Sequence, residues 1–124
     1  MQYTALIIFI VLLISGFSPS SVYAQKASVG TSLSIPIIEK NVKDGSIIVL
    51  TEKGYGLTKI EYDSKIYGVY TQSPSVFLQD TDDTSAKPVL HSGKAYVLVS
   101  SINGNIKKND FITTSTIAGA GQKA

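Results

Sequence analysis

The sequence predicts an all-β domain, a small barrel or sandwich, preceded by an N-terminal hydrophobic helix. After residue 35, short runs rich in Val, Ile, Thr and Tyr recur about every ten residues, and turn-forming residues separate them. No stretch in this part of the chain sustains the 3.6-residue hydrophobic spacing of an amphipathic helix. Every Lys, Asp and Glu lies at or after Lys26, which leaves an uncharged apolar segment at the N-terminus.

The N-terminal segment has the features of a targeting sequence. Residues 5–14 (ALIIFIVLLI) are unbroken apolar sequence. As a helix, these ten residues would rise about 15 Å, roughly half the thickness of the hydrocarbon core of a bilayer. This length suits the h-region of a signal peptide. Val22 and Ala24 place small or modest side chains at the −3 and −1 positions of a signal-peptidase site. We therefore interpret residues 1–24 as a signal peptide, with a retained anchor or an ordinary buried helix as alternatives.

The rest of the chain divides into a flexible lead-in, residues 25–34, and a β-domain, residues 35–124. The lead-in is small, polar and only weakly periodic. Residues 80–87 combine carboxylates with Thr, Ser and Ala, which predicts an exposed loop. The runs with strand composition are 46–51, 55–60, 65–71, 76–79, 88–90, 94–100 and 110–116.

Turn residues punctuate these runs. Gly and Asn tolerate a positive φ, and an Asp carboxylate can accept hydrogen bonds from nearby backbone N–H groups. We therefore assign structural roles in turns to Asp44, Gly45, Asn109 and Asp110. The two aspartates could instead form a carboxylate pair for acid–base chemistry, but neither has the Asp-Thr/Ser-Gly context of an aspartic protease.

A faint internal repeat links the two halves of the domain. Residues 41–48 align with 105–112, and residues 54–56 align with 119–121. Each half then consists of a turn, a strand and a Gly-x-Gly bend, which predicts two halves related by an approximate two-fold axis in a closed or semi-closed barrel. The strand at 65–71 has no counterpart after residue 121. We expect either that the β-domain is C-terminally truncated or that another segment supplies this strand.

Composition excludes several kinds of chemistry. The chain has no Cys, which excludes a disulfide framework, a thiol nucleophile and Cys-ligated metals. The net charge of +2 comes from interleaved signs, so we expect no nucleic-acid binding.

The remaining candidates for chemistry are also weak, so we expect no catalytic, cofactor-binding or metal-binding residue. His91, the one histidine, and Ser92 are neighbours in a strand and point to opposite faces, so they make a poor base and nucleophile. Asp80, Asp82 and Asp83 could attract Ca²⁺ but lack the Gly-forced turn of a calcium loop.

Four tyrosines form the candidate interaction surface. Tyr55, Tyr62, Tyr67 and Tyr70 lie within sixteen residues, and exposed tyrosines can anchor a protein interface or stack on sugars. Core packing is the alternative, because Tyr67 and Tyr70 point to opposite faces of one strand. A carbohydrate-binding function requires at least two of the four to lie exposed on one face.

Two stretches carry a resemblance to known proteins: GYGLTKIEYDSKIYGVY (54–70) and GKAYVLVSSINGNIKKNDFITTSTIAGAGQKA (93–124). They resemble a family of uncharacterised exported β-domain proteins from uncultured bacteria, and are similar to the C-terminal β-domains of phage tail fibres and appendages. The resemblance implies export, a β-rich domain and further C-terminal sequence. Asn109-Asp110 stands where the family pattern has Gly-Asp. No catalytic residue of a self-cleaving appendage domain maps onto this chain.

Together these features predict an extracytoplasmic, non-catalytic β-module of the cell envelope, cell surface or an appendage. It would contact a protein partner or envelope component through sheet edges, loop tips, Tyr and Lys, with self-assembly as a further option. Membrane contact would occur only through an uncleaved N-terminal segment. The alternatives are a self-cleaving or hydrolytic domain using Ser, Lys or Asp, and a carbohydrate-binding module.

Overall fold

The regular structure of the described β-domain consists of strands joined by turns and loops. The structure, a computed structural model, describes residues 2–4, 27–80, 82–83 and 85–124. The described strands are β1 (Val29–Ile35), β2 (Ile47–Thr51), β3 (Gly54–Leu57), β4 (Ile66–Tyr70), β5 (Val76–Leu78), β6 (Lys87–Lys94), β7 (Ile112–Thr114) and β8 (Gly121–Lys123). The predicted leader and its cleavage site lie outside the described residues, except for 2–4. In the part of the chain that is described, no helix has the length and apolarity to cross a membrane.

The strands form one open six-stranded sheet and a small two-stranded sheet. The order in the large sheet is β3-β2-β4-β6-β1-β5, and only β1 and β5 pair in parallel. The all-β prediction is confirmed, but the prediction of a closed barrel is wrong. The two end strands, β3 and β5, do not pair with each other, and segment 37–39 instead bonds to the outer backbone groups of β3.

The apolar core lies on one face of the large sheet. Its buried members are Ile35, Ile48, Tyr70 and Val89, one from each of β1, β2, β4 and β6. Because side chains alternate across a strand, the paired residues Tyr70 and Val89 share this face. Partly buried side chains that pack against the cluster are Leu33, Ile37, Val42, Tyr55, Leu57 and Tyr67.

The two-stranded sheet of β7 and β8 has a polar interior. Thr114, Ser115 and Gln122 are all buried there. The Ser115 hydroxyl donates to the Ala120 carbonyl at 2.8 Å, which satisfies part of this polar surface. The Ile47 N–H donates to the Gly119 carbonyl at 2.8 Å and joins the small sheet to β2.

Several segments differ from the sequence-based assignment. The predicted Gly-x-Gly bend at 54–56 lies within β3, and β8 was not predicted as a strand. Strand β1 occupies residues expected to be a flexible lead-in, so ordered β-structure begins at Val29. The predicted strand 94–100 is not formed. Strand β6 ends at Lys94, and the residues that follow make isolated backbone hydrogen bonds to both sheets. The Leu98 N–H donates to Gly45 and the Leu98 carbonyl accepts from Gly121, each at 2.8 Å.

The aligned halves share a local plan. In the turns Lys43–Ser46 and Lys107–Asp110, the last N–H donates to the first carbonyl at 3.1 Å. The third residue of each turn has a positive φ, 84° at Gly45 and 73° at Asn109. A hairpin follows each turn, β2–β3 in the first half and β7–β8 in the second. Asn109 thus adopts in the second turn the left-handed conformation that Gly45 adopts in the first.

Candidate interaction surface

The four predicted tyrosines do not share one surface. Tyr70 is buried in the core, whereas Tyr62 is 59% exposed in a loop and has a φ of 52°. Tyr55 and Tyr67 are half-buried and pack edge to face, with ring centroids 4.7 Å apart. Burial raises the pKa of Tyr67, and the neighbouring Tyr55 hydroxyl adds to this shift. Of these four tyrosines, Tyr62 alone is exposed to a ligand.

Two β-bulges bring Tyr67 and His91 together. Tyr67 is the extra residue where β4 pairs with β2, and His91 is the extra residue where β6 pairs with β1. Their ring centroids lie 4.9 Å apart. The Nδ1 atom of His91 lies 2.8 Å from the Tyr67 carbonyl oxygen, and it must donate because a carbonyl only accepts. The sequence contains no sign of this contact, because strand pairing decides where a bulge falls.

A shallow groove surrounds Tyr62. It is lined by residues 50–53 and 60–65, with Leu50 and Ile60 as its exposed apolar members. The loop is held in place because the Asp63 N–H donates to the Thr114 hydroxyl at 2.7 Å. Lysines and acidic residues alternate along the groove, so it presents no single sign of charge to a ligand.

One edge of the large sheet is guarded. The Tyr55 carbonyl of β3 accepts a hydrogen bond from the Ile38 N–H at 2.9 Å. The Leu57 N–H of the same strand donates to the Glu39 carboxylate at 3.1 Å. Glu39 also pairs with Lys59 at 3.4 Å. The segment 37–39 thus occupies backbone groups that another chain would need for pairing.

The opposite edge, β5, is open. No other strand among the described residues pairs with its outer side. Val76 is 50% exposed and Leu78 is 57% exposed. Leu78 lies beside Leu33 in the parallel register, and Leu33 packs against the core. Since neighbouring partners share a face, Leu78 extends the apolar face of the sheet to this edge, where its side chain is exposed.

The acidic loop follows β5 directly. The Asp82 N–H donates to the Asp80 carboxylate at 3.0 Å. The Ser85 hydroxyl and N–H both donate to Asp83, at 2.6 and 3.0 Å, and these bonds lower the pKa of Asp83. Across the described ranges, no three His, Cys, Asp or Glu side chains are grouped so as to hold a metal ion.

The turn aspartates are engaged in different places. The Asp44 carboxylate accepts from the Gln72 N–H at 2.8 Å. The Asp110 carboxylate accepts from the Lys107 N–H at 2.8 Å and pairs with Lys123 at 3.3 Å. The bond from Lys107 is the main cause that lowers the pKa of Asp110, and Lys123 contributes further. Both carboxylates thus hold turn and loop backbone.

The fold and the site define a mixed β-sheet module with one guarded and one open edge. Comparisons with protein-family models, with curated proteins and with solved structures each return no match.

The sequence analysis did not predict that β5 is an open edge of the sheet. The run 76–79 predicted a strand, observed at Val76–Leu78, but carried no sign of its place at the edge of the sheet.

Proposed function

We propose that this chain is an exported, non-catalytic β-module that binds a protein partner at the outer edge of β5. The observation that carries the proposal is the contrast between the guarded β3 edge and the open β5 edge. An open edge presents unpaired N–H and C=O groups, and an extended segment of another protein can pair with them. Export is inferred from the leader sequence, and the envelope, surface or appendage is the proposed location.

The chemistry around β5 favours a particular kind of partner segment. Val76 and Leu78 would lie against apolar side chains of an added strand, and that strand would extend the exposed core face. Asp80, Asp82 and Asp83 follow the C-terminal end of β5, and their negative charge favours a Lys or Arg in the part of the partner strand that lies next to them. The partner segment is therefore an extended strand with alternating apolar residues and a basic end.

The two alternatives have less support. A carbohydrate-binding module needs two exposed tyrosines on one face, and of the four candidates only Tyr62 is exposed. A hydrolytic domain needs an activated group. The carboxyls of Asp83 and Asp110 have lowered pKa values, which favour the ionised form and do not suit a general acid.

We also propose that the two halves of the domain are related by an approximate two-fold axis. Their matching turns support this relation.

Site-specific photo-crosslinking in the native cell tests this function. A photoreactive phenylalanine analogue is placed at Val76 of the full chain, and at Leu50 as a control. Leu50 is matched in exposure, at 48%, but lies on a strand inside the sheet. We expect an adduct from position 76, mapped by mass spectrometry to an extended segment of one partner protein, and no such adduct from position 50. Equal crosslinking from both positions, or none from position 76, would contradict the proposal. An adduct between two copies would instead indicate self-assembly.

A further inference from the structure

Phe111 presents an exposed aromatic ring on a fixed backbone. Its side chain is 84% exposed, the highest value among the large apolar residues that are exposed in the described chain. The preceding turn is closed by the bond from the Asp110 N–H to the Lys107 carbonyl. On the other side, the Phe111 carbonyl accepts from the Ala124 N–H at 2.9 Å. An ordered backbone loses little conformational entropy when the ring is buried by a ligand.

Three lysines lie close to Phe111 in the chain or in the strand pairing: two in the turn before it and one on the paired strand β8. We define the lysine tip as Lys107, Lys108, Phe111 and Lys123 together with Asp110. Lys107 and Lys108 are exposed, and Lys123 pairs with Asp110, the one carboxylate of the tip. Counted over side chains, three lysines against one aspartate give the tip a formal charge of +2. This equals the net charge of the whole chain, so the remaining charges cancel.

A second apolar side chain lies close to the tip. Ile102 is 57% exposed. The next residue, Asn103, donates from its side-chain amide to the Lys123 carbonyl at 2.8 Å. This bond fixes the Ile102 loop beside the end of β8. The region therefore combines two exposed apolar side chains with a local excess of positive charge.

Against the expectation that only an uncleaved N-terminal segment contacts a membrane, we propose that the lysine tip binds the surface of an anionic lipid membrane, with the Phe111 ring entering the interfacial layer. Exposed Phe side chains can insert at the boundary between lipid headgroups and acyl chains, and lysines in the same region are attracted to anionic headgroups. A specific protein interface usually buries about 800 Å² on each partner. The tip is a narrow turn beside a loop of Asn and Gly, which suits a lipid interface better because that interface requires no shape complementarity. Binding through one ring and a few lysines would be weak and reversible.

The absence of tryptophan makes a site-specific test possible. The full chain has no Trp, so Phe111→Trp introduces a single indole reporter at the tip. Leu78→Trp serves as the matched control, because Leu78 is an exposed apolar residue on the remote β5 edge. Each variant is mixed with vesicles of phosphatidylcholine alone, or of phosphatidylcholine with phosphatidylglycerol, with and without brominated acyl chains.

We expect the emission of Phe111→Trp to shift to the blue, and to be quenched by brominated lipid, only with the anionic vesicles. Leu78→Trp should respond to neither. Adding Lys107→Glu and Lys108→Glu to Phe111→Trp should lower the apparent vesicle affinity at least about tenfold. Circular dichroism of each variant establishes that the β-fold is retained.

Several results would overturn this proposal. They are an unchanged emission of Phe111→Trp, an equal response to neutral vesicles, an equal response of Leu78→Trp, and an affinity insensitive to the lysine reversals. Docking of an acidic protein at the tip would leave the indole unresponsive to vesicles, and so also counts against it. The crosslinking experiment at Val76 tests a different surface, so either proposal can fail while the other stands.

Discussion

Single residues in this protein are placed by the backbone groups around them. Asn109 and Gly45 occupy the same position in two similar turns, and both have a positive φ. Sequence alone predicts this, because Asn and Gly are the residues that tolerate a left-handed conformation. The contact between His91 and Tyr67 is different. It depends on two bulges in neighbouring strand pairs, and no local pattern in the sequence indicates where a register shifts.

Asp110 provides a prediction at this scale. The bond from the Lys107 N–H, with the nearby Lys123, lowers the pKa of Asp110 below its ordinary value of 3.8. Folding therefore favours the ionised carboxylate. Its contribution to stability is fully present above the unfolded pKa and is lost as the pH falls through the lowered folded pKa. We expect Asp110→Asn to reduce the acid-induced loss of stability that occurs below about pH 5.

Urea unfolding at a series of pH values measures this effect. The Asn side chain keeps an oxygen that can accept from the Lys107 N–H, so the variant changes the charge with little change of shape. An identical dependence of stability on pH in the wild type and in Asp110→Asn would contradict the assignment.

Among the structural elements, the strands that were predicted correctly differ in kind from those that were missed. Strands β2 and β4 are short β-branched or aromatic runs that end near turn residues, and their composition predicts them. Strand β1 is rich in Ser, Gly and Thr, so it is a strand mainly because β6 and β5 pair with it on both sides. The run 94–100 has strand composition but links the two sheets. Tertiary pairing overrides propensity in both cases.

The Glu39 carboxylate, which accepts a hydrogen bond from the outer edge of β3, gives a testable prediction about this strand. We expect Glu39→Ala to lower the free energy of unfolding by about 1.5 kcal/mol, because it leaves the Leu57 N–H without its charged acceptor. Glu39→Gln should cost less, since an amide oxygen can still accept and the lost pair with Lys59 is largely exposed. Urea denaturation measures both variants.

A surface carboxylate in the β2–β3 turn provides the control. Glu52 is exposed, and Glu52→Ala should change stability by no more than about 0.5 kcal/mol. If Glu39→Ala is no more destabilising than Glu52→Ala, the carboxylate does not guard the β3 edge.

At the scale of the described chain, the six-stranded sheet is open and its two edges differ. Segment 37–39 closes the β3 side, while β5 ends the other side with apolar side chains in water. Exposed apolar edge strands promote association between chains, and natural sheets often block them with lysine. The open edge is thus the part of the molecule where an added strand would pair.

Association of the full chain tests this property of the molecule. We expect Leu78→Lys to reduce concentration-dependent association, measured by size-exclusion chromatography with light scattering, and to change stability by less than about 0.5 kcal/mol. Leu50→Lys introduces the same charge at a similarly exposed position inside the sheet and should have a much smaller effect on association. Equal effects of the two substitutions would show that general hydrophobicity, and not the edge, controls association.

By itself, the sequence determined the β-class, most of the short strands and the turns at Gly45 and Asn109. These features depend on alternation, β-branching and tolerance of positive φ, which are properties of neighbouring residues. Only the tertiary structure decided that the sheet stays open, that β1 lies between β6 and β5, and that β5 is the unpaired edge. Strand order and register arise from contacts between residues far apart in the chain, and local composition does not specify which partners meet.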